Sequence, residues 1–312
     1  MPAKPHTRIA LIGLGQVGSA AALSLLQANL ASELLLVESN NALREAQLLD
    51  LQDVAHVLNS PTRVRSANYH EAGQCDIIVI TAGSKHTPAF ETNSRNISIV
   101  RNVVDACAPF NKDAVLIVCS NPVDLLTSLA LEVSRLPEGQ VIGAGTFLDS
   151  VRVRGLVAER VGIAANSIDV YAVGVQGRDE VVAWSCATVG GVPIDQSLES
   201  VESFGQEVRR QDLVDECRRR GELVVKEKGA SPYGMGAVIA NLCASIVLDK
   251  RNVRPVSHFQ KEFGCCFSSL VVLGRKGVVK RIGMPLDEEE QARIVASAGK
   301  VKAQVDEIRK QI

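Results

Sequence analysis

The tightest constraint on this fold lies within the first thirty residues. An apolar run, Ile9-Ala10-Leu11-Ile12, stops at Gly13-Leu14-Gly15-Gln16-Val17-Gly18, and apolar residues at helical spacing follow from Val17 to Leu30. The three glycines between strand and helix serve different ends. The first permits a tight turn, the second lets backbone approach a pyrophosphate, and the third lets helix pack on strand. The helix N-terminus is then aimed at the phosphates. A second apolar run, Leu34 to Val37, ends in Glu38, twenty residues after Gly18. A carboxylate there can hydrogen-bond the ribose hydroxyls of NAD and would repel the extra phosphate of NADP. No arginine follows before Arg44 to offset that repulsion.

The rhythm continues. β-like runs at Arg8 to Ile12, Leu34 to Val37, Asp76 to Thr81, Ala114 to Cys119 and Gln140 to Ile142 alternate with helical patterns at Val17 to Leu30, Asn41 to Leu58 and Val100 to Ala108. Alternation of this kind predicts a doubly wound parallel sheet of the Rossmann type, its strands apolar throughout because helices cover both faces. After about residue 145 the pattern changes to a helix at Leu148 to Val161, strands at Ile168 to Val175 and Val181 to Thr188, and helices at Gly205 to Lys228 and Tyr233 to Leu248. Short strands at Pro255 to Ser257, Ser268 to Leu273 and Val278 to Arg281 precede a last helix opened by Asp287, with Glu290 three residues on. The expected fold class is therefore α/β, with an NAD-binding domain over residues 1–145 and a mixed α/β substrate domain over 146–312.

The charge balance excludes other classes. Thirty-four Lys+Arg against 35 Asp+Glu leave a net charge of −1, with no basic block, so nucleic acid is not expected as a partner. No apolar stretch is long enough to span a membrane. The eight cysteines lie mostly in apolar segments with no Cys-x-x-Cys pair, which fits reduced thiols in a cytoplasmic protein and no metal.

Five segments in order, Gly13 to Gly18, Thr81-Ala82-Gly83, Ser120-Asn121-Pro122-Val123-Asp124, Gly143 to Arg152 and Lys228-Gly229-Ala230-Ser231, make the chain resemble the L-lactate/malate dehydrogenase family over nearly its whole length. Tyr233-Gly234-Met235-Gly236 and Val256-Ser257 resemble the lactate branch. The resemblance implies an NAD-dependent oxidoreductase acting on a 2-oxo or 2-hydroxy acid, assembled as a homodimer or homotetramer. It also implies site residues. Gly13, Gly15, Gln16, Val17, Gly18, Glu38, Thr81, Ala82, Gly83 and Asn121 would bind cofactor. Arg152 would hold the substrate carboxylate in its planar fork, and Arg95 would be the mobile-loop arginine that polarises the carbonyl. Asn121 and Ser231 would touch substrate, and Asp149 would orient the catalytic imidazole.

Two departures from the family pattern stand out. Where members carry Gly-Glu-His-Gly-Asp before a Trp-Ser dipeptide, this chain reads Gly174-Val175-Gln176-Gly177-Arg178. Gln176 therefore falls where a catalytic histidine is expected, and an amide can donate a hydrogen bond but cannot release a proton at neutral pH. Loss of a general acid costs about 10²- to 10⁴-fold. Asp149 is left with no expected cation, Arg178 being one substitute. The second departure is the loop Ser84 to Arg95, longer than its lactate-type counterpart, which places His86 at the position that reads the substrate side chain. His86 is a candidate substrate contact and a candidate stand-in acid; His6, His56, His70 and His258 read as structural. Turnover of ordinary lactate or pyruvate is accordingly in question. The alternatives are reduction of a protonated 2-imino acid, which brings its own proton, and a silent NAD-binding sensor or assembly subunit.

Overall fold

The computed structural model describes residues 6–84, 89–199 and 210–310. Its elements run β1 (Arg8–Ile12), α1 (Gln16–Ala28), β2 (Glu33–Val37), α2 (Asn41–Val57), β3 (Arg63–Ser66), α3 (Tyr69–Gly73), β4 (Ile77–Ile80), α4 (Ala89–Cys107), β5 (Val115–Val118), α5 (Val123–Ser134), β6 (Val141–Gly143) and α6 (Phe147–Val161). Five short strands follow, β7 (Ile168–Asp169), β8 (Ala172–Val173), β9 (Val181–Val182), β10 (Thr188–Val189) and β11 (Val192–Pro193). The chain then continues through α7 (Ile194–Glu199), α8 (Arg210–Lys228), α9 (Pro232–Val247), β12 (Asn252–Gln260), β13 (Cys265–Gly274), β14 (Gly277–Arg281) and α10 (Glu288–Lys310).

One nine-stranded sheet organises the molecule, in the order β14-β13-β12-β6-β5-β4-β1-β2-β3. Strands β1 to β6 are parallel. The progression reverses between β1 and β4, so a crevice opens at the carboxyl ends of those strands, where ligands of doubly wound sheets bind. Alternate residues feed two cores. Ile9, Leu11, Leu34, Leu36, Ile77 and Val79 face one side with α1 and α9, while Ala10, Ile12, Leu35, Val37, Ile78 and Ile80 face the other with α4 and α5. This two-sided burial is why the strands read as continuous apolar runs.

The later part of the chain does not build a separate main sheet. The antiparallel strands β12, β13 and β14 extend the first one, through the pairing of Ser257 with Gly143 on β6. Helix α9 packs on α1 so closely that a Cβ at Gly236 would lie 2.7 Å from the carbonyl oxygen of Ala20. That contact brings Ser231, at the start of α9, toward the glycine turn.

Several expected boundaries are corrected. Helix α4 begins at Ala89 rather than Val100, so Arg95 is a helical residue and not a loop residue. The run Ile97, Val100, Val104, Cys107 has the i, i+3, i+4 spacing that buries one helix face, and it carries the helix back beyond Val100. The strands expected over Ile168 to Val175 and Val181 to Thr188 each break into two short pieces, the second around a 3₁₀ turn at Trp184–Cys186. Of the helix expected over Gly205 to Lys228, the part before Arg210 lies outside the described residues. Among the described residues, no single helix is long and apolar enough to cross a membrane.

Candidate active site

The glycine turn has the geometry its sequence requires. Gly13 has φ +95°, and a Cβ there would meet Ala82 at 2.6 Å; a Cβ at Gly18 would lie 1.9 Å from the carbonyl oxygen of Gly13, so α1 sits directly on the strand end. Gly15 is different. A Cβ built there meets nothing within 4 Å among the described residues beyond its chain neighbours, which leaves open space at the helix N-terminus. Among the described residues no side chain caps α1 at that end, as an anion site on a helix N-terminus requires.

Glu38 closes the ribose side of this turn. Its Oε2 accepts from the backbone N–H of Leu14 at 2.8 Å and its Oε1 from that of Asn40 at 3.0 Å. Burial pushes its pKa up, but these hydrogen bonds outweigh it and hold the carboxyl below its ordinary value, so Glu38 is an anion at neutral pH. Thr81 Oγ1 donates to the carbonyl of Gly13 at 2.6 Å, locking the end of β4 to the turn. The residues present fit a dinucleotide.

Beside the turn lies a cavity of about 720 Å³, lined by Val17, Thr81, Gly83, Asn121, Asp149, Arg152, Gln176 and Ser231 among others. The structure thus brings together eight residues that the sequence assigned to cofactor and substrate. Asn121 is held by Asn96, whose Nδ2 donates to the Asn121 carbonyl at 2.8 Å while its Oδ1 accepts from Ser84 N–H at 2.7 Å. Arg95 has an exposed side chain on α4 and is not part of the lining. His86 lies outside the described residues.

The polar centre is built on the first turns of α6. Asp149 and Arg152, three residues apart on one face, pair at 2.6 Å between Oδ1 and Nη1. Asp149 therefore has a cation, and it is Arg152 rather than Arg178, whose carbonyl oxygen accepts from Arg218 Nη2 at 3.2 Å. The other guanidinium nitrogen, Nη2, donates to Ser231 Oγ at 3.3 Å. Burial pushes Asp149 above the usual carboxylate range, and the Arg152 charge pulls against that. On its far side, Asp149 Oδ2 accepts from Gln176 Nε2 at 3.5 Å.

Gln176 stands in a turn between Gly174 (φ +84°) and Gly177 (φ +108°). Gly174 exchanges two backbone hydrogen bonds with Ser268 on β13, at 2.8 and 2.9 Å, and the Gln176 N–H donates to buried Asp124 Oδ2 at 2.7 Å. Burial pushes Asp124 up to about 6. The same turn delivers Glu180 into the cavity, and α8 adds Arg218 and Gly221. Sequence reasoning missed Asn96, Glu180 and Arg218. Only Glu180 carried a signal, a carboxylate immediately before the apolar pair Val181-Val182; Asn96 and Arg218 sit among other polar and charged residues and carried none.

A glycine turn at a switch point with an open helix N-terminus, beside a pocket whose centre is a half-buried arginine paired with a buried carboxylate, defines a nucleotide-binding enzyme of the doubly wound class. Comparison with known proteins narrows the class. Residues 7–143 match the lactate/malate dehydrogenase NAD binding domain, and residues 146–312 match the lactate/malate dehydrogenase alpha/beta C-terminal domain. L-lactate dehydrogenase A of Rhizopus oryzae is 35% identical over 96% of this chain and 92% of its own length. L-lactate dehydrogenase of Chloroherpeton thalassium is 32% identical over 93% of this chain and 96% of its own. The solved minor L-lactate dehydrogenase of Enterococcus mundtii, in a ligand-bound form, superposes with a TM-score of 0.91 at 28% identity, over 98% of this chain and 99% of that one. The chain belongs to the lactate/malate dehydrogenase family, on its lactate dehydrogenase branch. It is an NAD-dependent oxidoreductase acting on CH–OH groups.

Proposed function

We propose that this enzyme interconverts a 2-oxo acid and its 2-hydroxy acid, with Arg152 as the carboxylate anchor. The observation that carries this reading is the placement of the Arg152 guanidinium in the cavity, with Asp149 on one nitrogen and Ser231 on the other. A dinucleotide held by the Gly13 to Gly18 turn and Glu38 would supply or accept the hydride. Arg152 orients the acid by paired charge-assisted hydrogen bonds, Ser231 and Asn121 fix its flank, and Gly15 leaves the backbone open to the pyrophosphate. His86 belongs to this reading as a contact to the substrate side chain, and Arg95 as a residue that would have to swing inward to reach the carbonyl. A homodimer or homotetramer, located in the cytoplasm, completes the reading; it is supported by exposed apolar side chains such as Leu49, Val57 and Val151 and by the eight unpaired cysteines.

Gln176 favours a second reading. At the position that the family pattern gives to histidine, its amide offers Asp149 a hydrogen bond and offers the substrate no proton. A protonated 2-imino acid would be reduced on the same Arg152 anchor without one. A panel of 2-oxo acids with NADH, with and without ammonia, separates the two: turnover only with ammonia selects the imino acid, and oxamate binding with no turnover selects a silent sensor. For the anchor itself, calorimetry with NADH-saturated protein should show Arg152→Lys weakening oxamate binding by about 2–3 kcal/mol, because a lysine point charge cannot reproduce the fork. Equal affinities in the two proteins would remove Arg152 from the site.

A further inference from the structure

Glu180 is a buried acid, 7% exposed, that lines the cavity beside Asp149 and Gln176. Its surroundings are unlike those of Asp149. Asp149 has an arginine at 2.6 Å and the Gln176 amide at 3.5 Å. Among the described residues, the Glu180 carboxyl has one long hydrogen bond, from Gly177 N–H at 3.4 Å, and no ion pair within 4.0 Å. The charged and titratable groups that face it are Asp149 and Arg152 from α6 and Cys217 and Arg218 from α8. From α10, Arg293 donates to its main-chain carbonyl at 3.4 Å, and Asp124 of α5 lies behind the Gln176 peptide. Arg152 pairs with Asp149 through Nη1, while Arg218 gives Nη2 to the Arg178 carbonyl, has Asp215 3.9 Å from Nη1, and keeps a buried Nε with no partner among the described residues; neither guanidinium lies within 4.0 Å of the Glu180 carboxyl. An ionised Glu180 would be a second anion against Asp149 in a buried pocket, so the neutral acid is the favoured form.

Resting on the 2-oxo acid reading above, we propose that Glu180 is the proton donor of this pocket, giving its carboxyl proton to the carbonyl oxygen of the acid held by Arg152. The step balances. With NADH bound, a hydride leaving a C–H bond of the dihydronicotinamide would form the new bond at carbon, the carbonyl π pair would move to oxygen, and that oxygen would take the proton as the Glu180 O–H bond breaks. NAD⁺, the 2-hydroxy acid and a carboxylate result, and the carboxylate regains a proton from water. Burial, then the Asp149 charge, push Glu180 up to about 8, so the proton is present at neutral pH. Gln176, which cannot release a proton, keeps the pair Asp149 and Arg152 in place by its hydrogen bond. The arrangement resembles other buried acids kept neutral by an apolar or like-charged setting so that they can donate.

Infrared difference spectra of the protein with NADH and oxamate, taken between neutral pH and about pH 9, should show a protonated-carboxyl band that titrates away and is absent in Glu180→Gln. In parallel, kcat/KM for NADH-dependent reduction of the best 2-oxo acid should fall through a group near 8 in the wild type. In Glu180→Gln it should be lower by about 10²-fold, with that ionisation gone and oxamate affinity retained. Absence of the titrating band from the wild type overturns the proposal even if the variant does not fold. A wild type that turns over beside a variant of equal rate and unchanged pH profile defeats the proposal alone. A wild type that reduces no 2-oxo acid defeats the functional reading, and this proposal with it.

Discussion

At position 176 the pocket sets an amide against a carboxylate, Gln176 Nε2 lying 3.5 Å from Asp149 Oδ2, and an amide takes no part in proton exchange near neutrality. An imidazole in its place would meet the same carboxylate, which would hold it as the cation. Gln176→His is therefore expected to raise pyruvate reduction at least about tenfold and to add an ionisation near neutrality to its pH profile. Stopped-flow measurement of NADH oxidation across pH reads both. A variant that folds and binds NADH but gains neither would show that the pocket is shaped for a substrate that needs no donor at that point. The residues of this centre differ in how legible they were. Asp149 and Arg152 share one helix face by their spacing of three, yet the sequence left Asp149 without a cation, and the ion pair between them is a finding of the structure. Glu180 could not be placed beside them, because its membership in the pocket depends on a turn tied to β13 by Gly174 and on α8 covering it, and both relations are tertiary.

The glycine turn between β1 and α1 separates two roles that a sequence motif merges. At Gly18 the added Cβ would strike the Gly13 carbonyl at 1.9 Å and Thr81 Oγ1 at 2.9 Å, so Gly18→Ala must push α1 off the strand. Such overpacking costs about 1–3 kcal/mol, and thermal unfolding should record it. At Gly15, φ is −68° and the added Cβ meets no atom of the described residues within 4 Å beyond its chain neighbours. Gly15→Ala should keep the wild-type unfolding temperature and lose NADH affinity, seen by fluorescence titration, because the methyl occupies the space left for the pyrophosphate. Unchanged affinity in that variant would move the phosphates elsewhere. Elements whose signal is local were readable in the sequence: the parallel strands through their two-sided burial, and the last helix through its Asp287–Glu290 cap. In that cap, Glu290 N–H donates to Asp287 Oδ1 at 2.8 Å and Asp287 N–H to Glu290 Oε2 at 3.4 Å. The β7 to β11 region was not readable. Its strands are two residues long, too short for a period to show, and their ends are set by partners such as the pairing of Thr188 with Asp169.

Across the whole molecule, a single sheet runs from β14 to β3, and of the buried titratable groups on or beside it, three with large shifts make folding depend on pH. His258, on β12, is 2% exposed and shares its Nε2 with Ser269 Oγ at 2.8 Å and Gln260 Nε2 at 2.9 Å. Burial, then the Arg281 charge, push it down from 6.5 to about 4. As pH falls from 6.5 toward 4 the unfolded chain takes up a proton that the folded one refuses, so this group removes stability in that window. Glu180 and Asp124 act in the opposite sense. Their folded pKa values, about 8 and about 6, exceed the ordinary 4.5 and 3.8, so the folded state holds protons that the unfolded state has lost, and stability declines as pH rises through those windows. The three oppose one another below 6.5, whereas Glu180 alone of them acts between 6.5 and 8. Denaturant unfolding should therefore show stability falling by up to about 1 kcal/mol per pH unit over that upper range. Glu180→Gln should flatten this slope and, because Glu180 also opposes His258 between 4.5 and 6.5, should lower stability near pH 5 relative to that at 6.5. His258→Asn should weaken the loss on the acid side and leave the upper slope as it is. A wild-type profile level from 6.5 to 8 would mean that Glu180 ionises freely in the folded protein, and the buried acid beside Asp149 would then be no proton reservoir.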